Sequence, residues 1–197
     1  MKEQPILFNG DMIRAIIGGR KSQTRRVLKG STEFKGPYNP AYLEAHSGAP
    51  GWKTICPYGV PGDRLWVRET HIRRGDRAMY RADVDPIEAA GLGGMYGGWT
   101  PSIFMFRKHS RITLELTDVR VQRLQDISEE DAKAEGVKQR SISTWWNYFE
   151  DCYLSSAQQS FSSLWQSING KNKPGEDWDA WDANPWVWAV TFKVVRP

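Results

Sequence analysis

Residues 111–124 read RITLELTDVRVQRL. Ile112, Leu114 and Leu116 alternate with Thr113, Glu115 and Thr117, the period of two that turns one face of a strand to a core and the other to water. This is the strongest strand signal in the 197-residue chain, and its neighbours follow the same pattern. GDRLWVRET (62–70) is a turn feeding a strand, with Leu65 and Val67 on one face and Trp66 and Arg68 on the other. RAMYRAD (77–83) reads as a strand beside it. QPILFN (4–9) is a short opening strand and WVWAVTFKVV (186–195) a closing one.

Helices are few. Met12, Ile13, Ile16 and Ile17 share a helical face that Asn9 or Asp11 caps and Gly18-Gly19 ends. ISEEDAKAEGV (127–137) is a short helix with a capping-box-like start at Ser128 and Asp131 and a stop at Gly136. Residues 141–168, SISTWWNYFEDCYLSSAQQSFSSLWQSI, read as one or two helices. Strands at both ends with few helices between them predict an α+β fold, a small β-barrel-like sheet that the helices plug or flank. The length suits a single domain over 1–197 with insertions at about 30–60 and 138–175. GLGGMYGG (91–98) lacks the spacing of a dinucleotide-binding loop and reads as a flexible loop.

Composition excludes several classes. No apolar run approaches the roughly 18 residues that cross a bilayer, and the apolar run at the start is too short for a secretory signal. A cytoplasmic protein with no membrane partner is expected. Cys56 and Cys152 stand apart, as do His46, His71 and His109, so neither a disulfide scaffold nor a metal or cofactor site is expected. Charge is uneven. Residues 1–123 hold 20 Lys and Arg against 12 Asp and Glu, and the remainder holds 7 against 11. A basic majority suits an anionic partner such as a nucleoside phosphate or RNA, and equally a solvated mixed surface.

The basic stretch GGRKSQTRR (18–26) concentrates the chemistry. Lys21 lies in a turn, while Thr24 and Arg26 share one face of the following strand and Arg25 takes the other. Threonine becomes a nucleophile only when a base removes its proton. Lysine becomes a base only when its pKa falls, as like charges at Arg20, Arg25 and Arg26 favour. A solvated turn and an activated hydroxyl are both open here. Glu135 is the second oddity: it sits in the last turn of its helix, where the dipole disfavours a carboxylate and favours its protonated form. Trp186 and Trp188 alternate on the closing strand and are either core or a stacking platform.

Taken together, GRKSQTRR, GDRLWVRE, ITLELTDVRVQRLQDISEEDAKAEGV and NPWVWAVTFKVV resemble the ASCH domain family, of PUA-like β-barrel fold, and its longer phage- or prophage-type members in particular. The motifs run from one end of the chain to the other, and the two expected insertions have no counterpart in the smallest members. PUA-like barrels are associated with RNA and modified bases, so the resemblance implies a nucleoside or RNA partner. A small bacterial member is an amidohydrolase that deacetylates N4-acetylcytidine, and its catalytic lysine, threonine and glutamate fall by motif on Lys21, Thr24 and Glu135. The resemblance thus implies a hydrolase in which Lys21 takes the Thr24 proton and Glu135 steers Lys21 or protonates the departing amine. Arg20, Arg25, Arg26, Arg68 and Glu69 are candidates for the substrate site, and Trp66 or Trp186 for stacking on the base. The alternatives are a non-catalytic RNA- or modified-base-binding module and a metal-independent ribonuclease acting on single-stranded RNA.

Overall fold

The computed structural model describes residues 1–28, 56–74, 77–95, 97–169 and 180–196. The insertion expected at 30–60 lies outside these as far as residue 55, and the 138–175 insertion lies outside them from residue 170. Among the described residues no helix is long and apolar enough to cross a membrane.

The fold is α+β. Its main sheet contains β1 (Glu3–Leu7), β2 (Gln23–Val27), β3 (Arg64–Arg68), β6 (Thr113–Arg123) and β10 (Trp186–Arg196). Their order is β1-β3-β6-β10-β2, parallel only at β1–β3. β6 and β10 form its long central ladder, pairing from Trp186 against Arg123 to Arg196 against Thr113. The alternation read in the sequence holds through Leu116, shifts by one residue at a bulge opposite Thr191 and Phe192, and resumes: Leu114, Leu116, Val119 and Val121 enter one core with Trp186, Trp188, Val190 and Phe192. The departure concerns closure. Among the described residues β1 and β2 are the two edges of an open sheet, not neighbours in a closed ladder. α1 (Gly10–Ile17) bridges the gap, burying Ile13 and Ile16 in the core. The Arg26 guanidinium spans the same gap, donating to the Leu7 carbonyl at 2.6 Å.

Several local expectations are met by visible contacts. Asn9 caps α1 by accepting from the Met12 amide, and Gly19 takes φ +71° at the exit. The Gly62-Asp63 pair fastens the start of β3 to the chain around it. The Asp63 carboxylate accepts the Lys2 amide at 2.6 Å and the Val60 amide at 3.2 Å. The Lys2 amide above all, with the Val60 amide, holds Asp63 below its ordinary pKa.

Three expectations are corrected. RAMYRAD is not a neighbour of β3: β5 (Arg77–Tyr80) pairs with β4 (His71–Arg74) in a hairpin of its own. GLGGMYGG is not a loop throughout, because Pro86–Met95 is helix α2. Gly93 is tolerated there since the Trp99 ring lies where a Cβ would point, 3.1 Å away, and the Trp99 indole donates to the Ala89 carbonyl. Residues 141–168 are only half helical. β7 (Gln139–Ser141), β8 (Thr144–Trp146) and β9 (Tyr153–Leu154) form a small antiparallel sheet before the helix begins. Thr144, Trp145 and Trp146 are β-branched or aromatic and favour a pleated surface, and this local preference wins over an approximate helical spacing. The remaining helices are α3 (Glu129–Ala134) and α4 (Ala157–Asn169). They pack beside β2 around a second core containing Ile127, Phe161, Trp165 and Val187.

Candidate active site

At the edge strand β2 Lys21 meets Glu135, and Thr24 lines a cavity that Glu135 also lines. The turn after α1 is pinned when the Lys21 amide donates to the Ala15 carbonyl, and β2 docks on α3 when the Ser22 amide donates to the Ala134 carbonyl. Glu135 is the C-cap of α3. Gly136 follows at φ +88°, and a Cβ there would stand 2.9 Å from the Lys21 Cβ and 3.1 Å from the Ala15 Cβ. The Glu-Gly pair at the helix end is therefore what lets the carboxylate close on the lysine. Lys21 Nζ donates to the Glu135 carboxylate at 2.7 Å and to the Glu135 carbonyl at 2.9 Å. One ammonium thus answers both a helix-end carbonyl and the carboxylate whose place in the last turn made Glu135 look misplaced.

Lys21, Thr24 and Glu135 are each at least 95 % buried. Burial pulls Lys21 below its ordinary pKa of 10.5, and the Arg25 and Arg26 charges add to this, while Glu135 opposes it. Arg25 lies on the other sheet face with its side chain buried. It donates to the other Glu135 oxygen at 3.1 Å, to Asp131 at 2.8 Å and to Gln23. Arg120 also donates to Asp131. Although burial would raise Asp131, Arg25 and Arg120 hold it below the usual carboxylate range.

Two small chambers meet at Glu135. One, of about 80 Å³, is walled by Thr24, Arg26, Glu135, Phe161 and Trp165. The other, of about 120 Å³, is walled by Arg20, Glu135, Gly136, Lys138 and Tyr148. Met12, Leu164 and Ile168 face both. Lys21 sits behind the Glu135 carboxylate rather than on either wall. Among the described residues the Arg26 Nε–H is buried with no partner, while its ring neighbour is Phe8, 5.3 Å away.

The other sequence candidates divide. Arg20 lies at the rim of the second chamber. Trp66 and Arg68 alternate with the core residues Leu65 and Val67, so they lie on the sheet face opposite Thr24, where the Arg68 guanidinium stacks on the Trp66 ring at 4.8 Å. Trp186 is packed in the main core with Arg123 over its ring at 4.4 Å. Neither tryptophan lines the chambers, which corrects their expected place beside the base. Glu69 is also elsewhere, held at 2.9 Å and 3.0 Å by Arg111 beside a separate cavity of about 390 Å³ on the far side of α1. Sequence reading missed Phe161 and Trp165 as site residues. Their spacing is that of an ordinary core face, and only the docking of α4 beside β2 puts them on a chamber wall with Thr24, Phe161 lying beneath the Arg25 guanidinium at 5.7 Å. Among the described residues no group of three or more His, Cys, Asp or Glu is placed to hold a metal ion.

No family model matches the sequence, and no curated protein matches it either. Among solved structures, the chain is similar over its whole length to 81 % of a crystal structure of an ASCH domain from Lactobacillus crispatus JV V101, at 14 % identity and a TM-score of 0.42. It is similar to the same extent to protein EF3133 from Enterococcus faecalis V583, a DUF984 protein, at 11 % identity and a TM-score of 0.41. An ASCH domain is thus among the solved structures that this chain is similar to.

Proposed function

We propose that this protein is an amidohydrolase that removes the acyl group from an acylated cytosine-type nucleoside such as N4-acetylcytidine. The observation that supports it is the buried Lys21–Glu135 pair, with Glu135 and Thr24 lining one chamber. A buried lysine with a lowered pKa is a base rather than a fixed charge.

In this reading the pair begins one proton short of a lysine–carboxylate ion pair and takes that proton from the Thr24 hydroxyl, its net charge passing from −1 to 0. The Thr24 oxygen bonds to the acyl carbon. Collapse of the tetrahedral intermediate breaks the C–N bond, and the departing amine recovers the proton from the pair. Water, deprotonated by the same pair, then attacks the acyl carbon; the acyl–Oγ bond breaks, the pair returns the proton to the Thr24 oxygen, and the carboxylic acid leaves. Arg26 shares the sheet face of Thr24, and its unpartnered Nε–H suits the developing oxyanion, a contribution of roughly 3 kcal/mol. Arg25 acts through Glu135, as a positioning residue. Phe161 and Trp165 supply the aromatic walls that Trp66 and Trp186 do not.

The chambers are smaller than the roughly 300–1,000 Å³ of drug-sized ligand sites. They suit an acyl group and the amine-bearing edge of a base, not a threaded strand. The test is release of cytidine from N4-acetylcytidine by the wild-type protein and by Lys21→Ala and Thr24→Ala. Release that drops by about 10³-fold or more in both variants is expected. Absence of release by the wild type, or equal release by all three, removes the hydrolase. RNA binding indifferent to Thr24→Ala would instead favour a binding module, and cleavage of end-labelled RNA in EDTA a ribonuclease.

A further inference from the structure

The second chamber opens on a third concavity whose character is different. Arg20 and Lys138 line both that chamber and an open groove of about 700 Å³. The groove is walled further by Lys133, Arg140, Trp145 and Trp146, so four cations and two indoles face it and no carboxylate does. Lys133 and Lys138 are half exposed and reach acids only at the outer limit of an ion pair, Glu129 at 3.9 Å and Asp11 at 3.7 Å. Among the described residues Arg20 and Arg140 have no carboxylate partner, and Arg140 instead stacks on Tyr153 at 4.2 Å. Like charges gathered with few and distant counter-charges repel one another, and an anion relieves that repulsion. The geometry is not accidental to one loop. Arg20 comes from the turn after α1, Lys133 from α3, and Lys138 and Arg140 from the chain leading into and along β7.

We propose that this groove binds the phosphate of a nucleotide whose base enters the adjoining chambers. The substrate is then an acylated nucleoside 5′-phosphate rather than the free nucleoside. The inference rests on the hydrolase reading for the word substrate, but phosphate binding stands or falls separately. Arg20 and Arg140 supply planar donors that match two phosphate oxygens, and Trp146, 42 % exposed, offers an apolar flank for the ribose. A single phosphate with its sugar suits this volume. A strand would need the basic surface to continue past both ends of the groove.

The experiment measures binding of cytidine and of cytidine 5′-monophosphate by titration calorimetry, which needs no turnover. The monophosphate is expected to bind at least about tenfold more tightly at low salt, with the advantage shrinking at high salt as screening acts on exposed charges. In Lys138→Glu and Arg140→Glu, and in the milder Arg20→Ala should either charge reversal fail to fold, the ratio of the two affinities is expected to fall toward one. Equal affinities in the wild type, or a ratio untouched by salt and by every folded variant, overturns the proposal. Binding of a short cytidine-containing oligonucleotide far more tightly than the monophosphate overturns it in favour of a strand. Phosphate-dependent affinity without any deacylation of acetylated cytidine or its 5′-phosphate leaves the groove assigned and sinks the hydrolase instead.

Discussion

Two buried ionic clusters flank α1, built from the same kinds of residue with different consequences. On one side Glu69 is buried and clamped through both oxygens by Arg111, which also takes Asp83 at 2.6 Å and 2.8 Å and stacks on Tyr80 at 3.9 Å. On the other, Glu135 is buried and held by Lys21 and Arg25. Burial works against charge in both: it raises Glu69 above its ordinary pKa against the pull of Arg111, and lowers Lys21 against the pull of Glu135. The difference lies in the cation. A guanidinium does not release its proton in a protein, whereas a desolvated ammonium does. The Glu69 cluster therefore ties β3 to its neighbours. The Glu135 cluster holds the one cation of the two whose proton is removable, and under the proposed function that proton is the one that moves.

Exchanging the cations breaks this comparison most sharply. Lys21→Arg can keep the ion pair with Glu135, yet a guanidinium stays protonated and cannot accept the Thr24 proton, so kcat/KM is expected to fall by about 10³-fold or more. Arg111→Lys is expected to leave deacylation within about twofold while costing about 1–3 kcal/mol in denaturant unfolding, because the bidentate hold on Glu69 is lost. Arg111→Lys abolishing turnover with stability intact would reverse the two assignments.

The pH profile sharpens the same point. The rate is expected to rise about tenfold per pH unit and level off below 10.5, the ordinary lysine value, because folded Lys21 gives up its proton early. In the window between the folded pKa and 10.5 the unfolded chain binds the extra proton, so this group also makes stability rise with pH there. A limb that levels off at or above 10.5 would exclude Lys21 as the base.

Arg25→Met separates positioning from chemistry. It strips Glu135 and Asp131 of a buried partner, and a loss of roughly 3–5 kcal/mol is expected. In whatever protein remains folded, kcat should fall by about 10–100-fold with KM nearly unchanged, and Arg25→Lys should restore part of it. The smallest expected effect is that of Gly136→Ala. A residue with a Cβ at φ +88° costs about 1–2 kcal/mol. The added methyl also presses on Lys21, so activity should fall further than the stability change explains.

Much of this molecule is legible in its residue order. The period-two alternation of Ile112, Leu114 and Leu116 and the matching run from Trp186 to Phe192 require a two-faced sheet. The caps at Asn9 and Ser128 are chemical and local, and Asp131 donates its amide to the Ser128 hydroxyl as that reading requires. Lys21 and Glu135 stand out for the same reason, a lysine crowded by arginines and a carboxylate at the wrong helix end, whereas Thr24 joins them through the family resemblance. Where helix and strand signals overlapped, as from Ser141 to Leu154, local preference decided against the spacing.

Only tertiary structure decides which aromatics line the chambers at Glu135. Trp66 and Trp186 sit on good strands with suitable chemistry, yet alternation sends one to the far face and packing buries the other. Phe161 and Trp165, ordinary core residues by spacing, become chamber walls because α4 lies beside the β2 edge. Whether the sheet closes is likewise not a local property, since edge pairing depends on what bridges β1 and β2, here α1 and Arg26. The physical reason is range. Alternation, capping and charge crowding act within a few residues and are written in the chain, whereas a cavity exists only between segments that the fold brings together over more than a hundred residues.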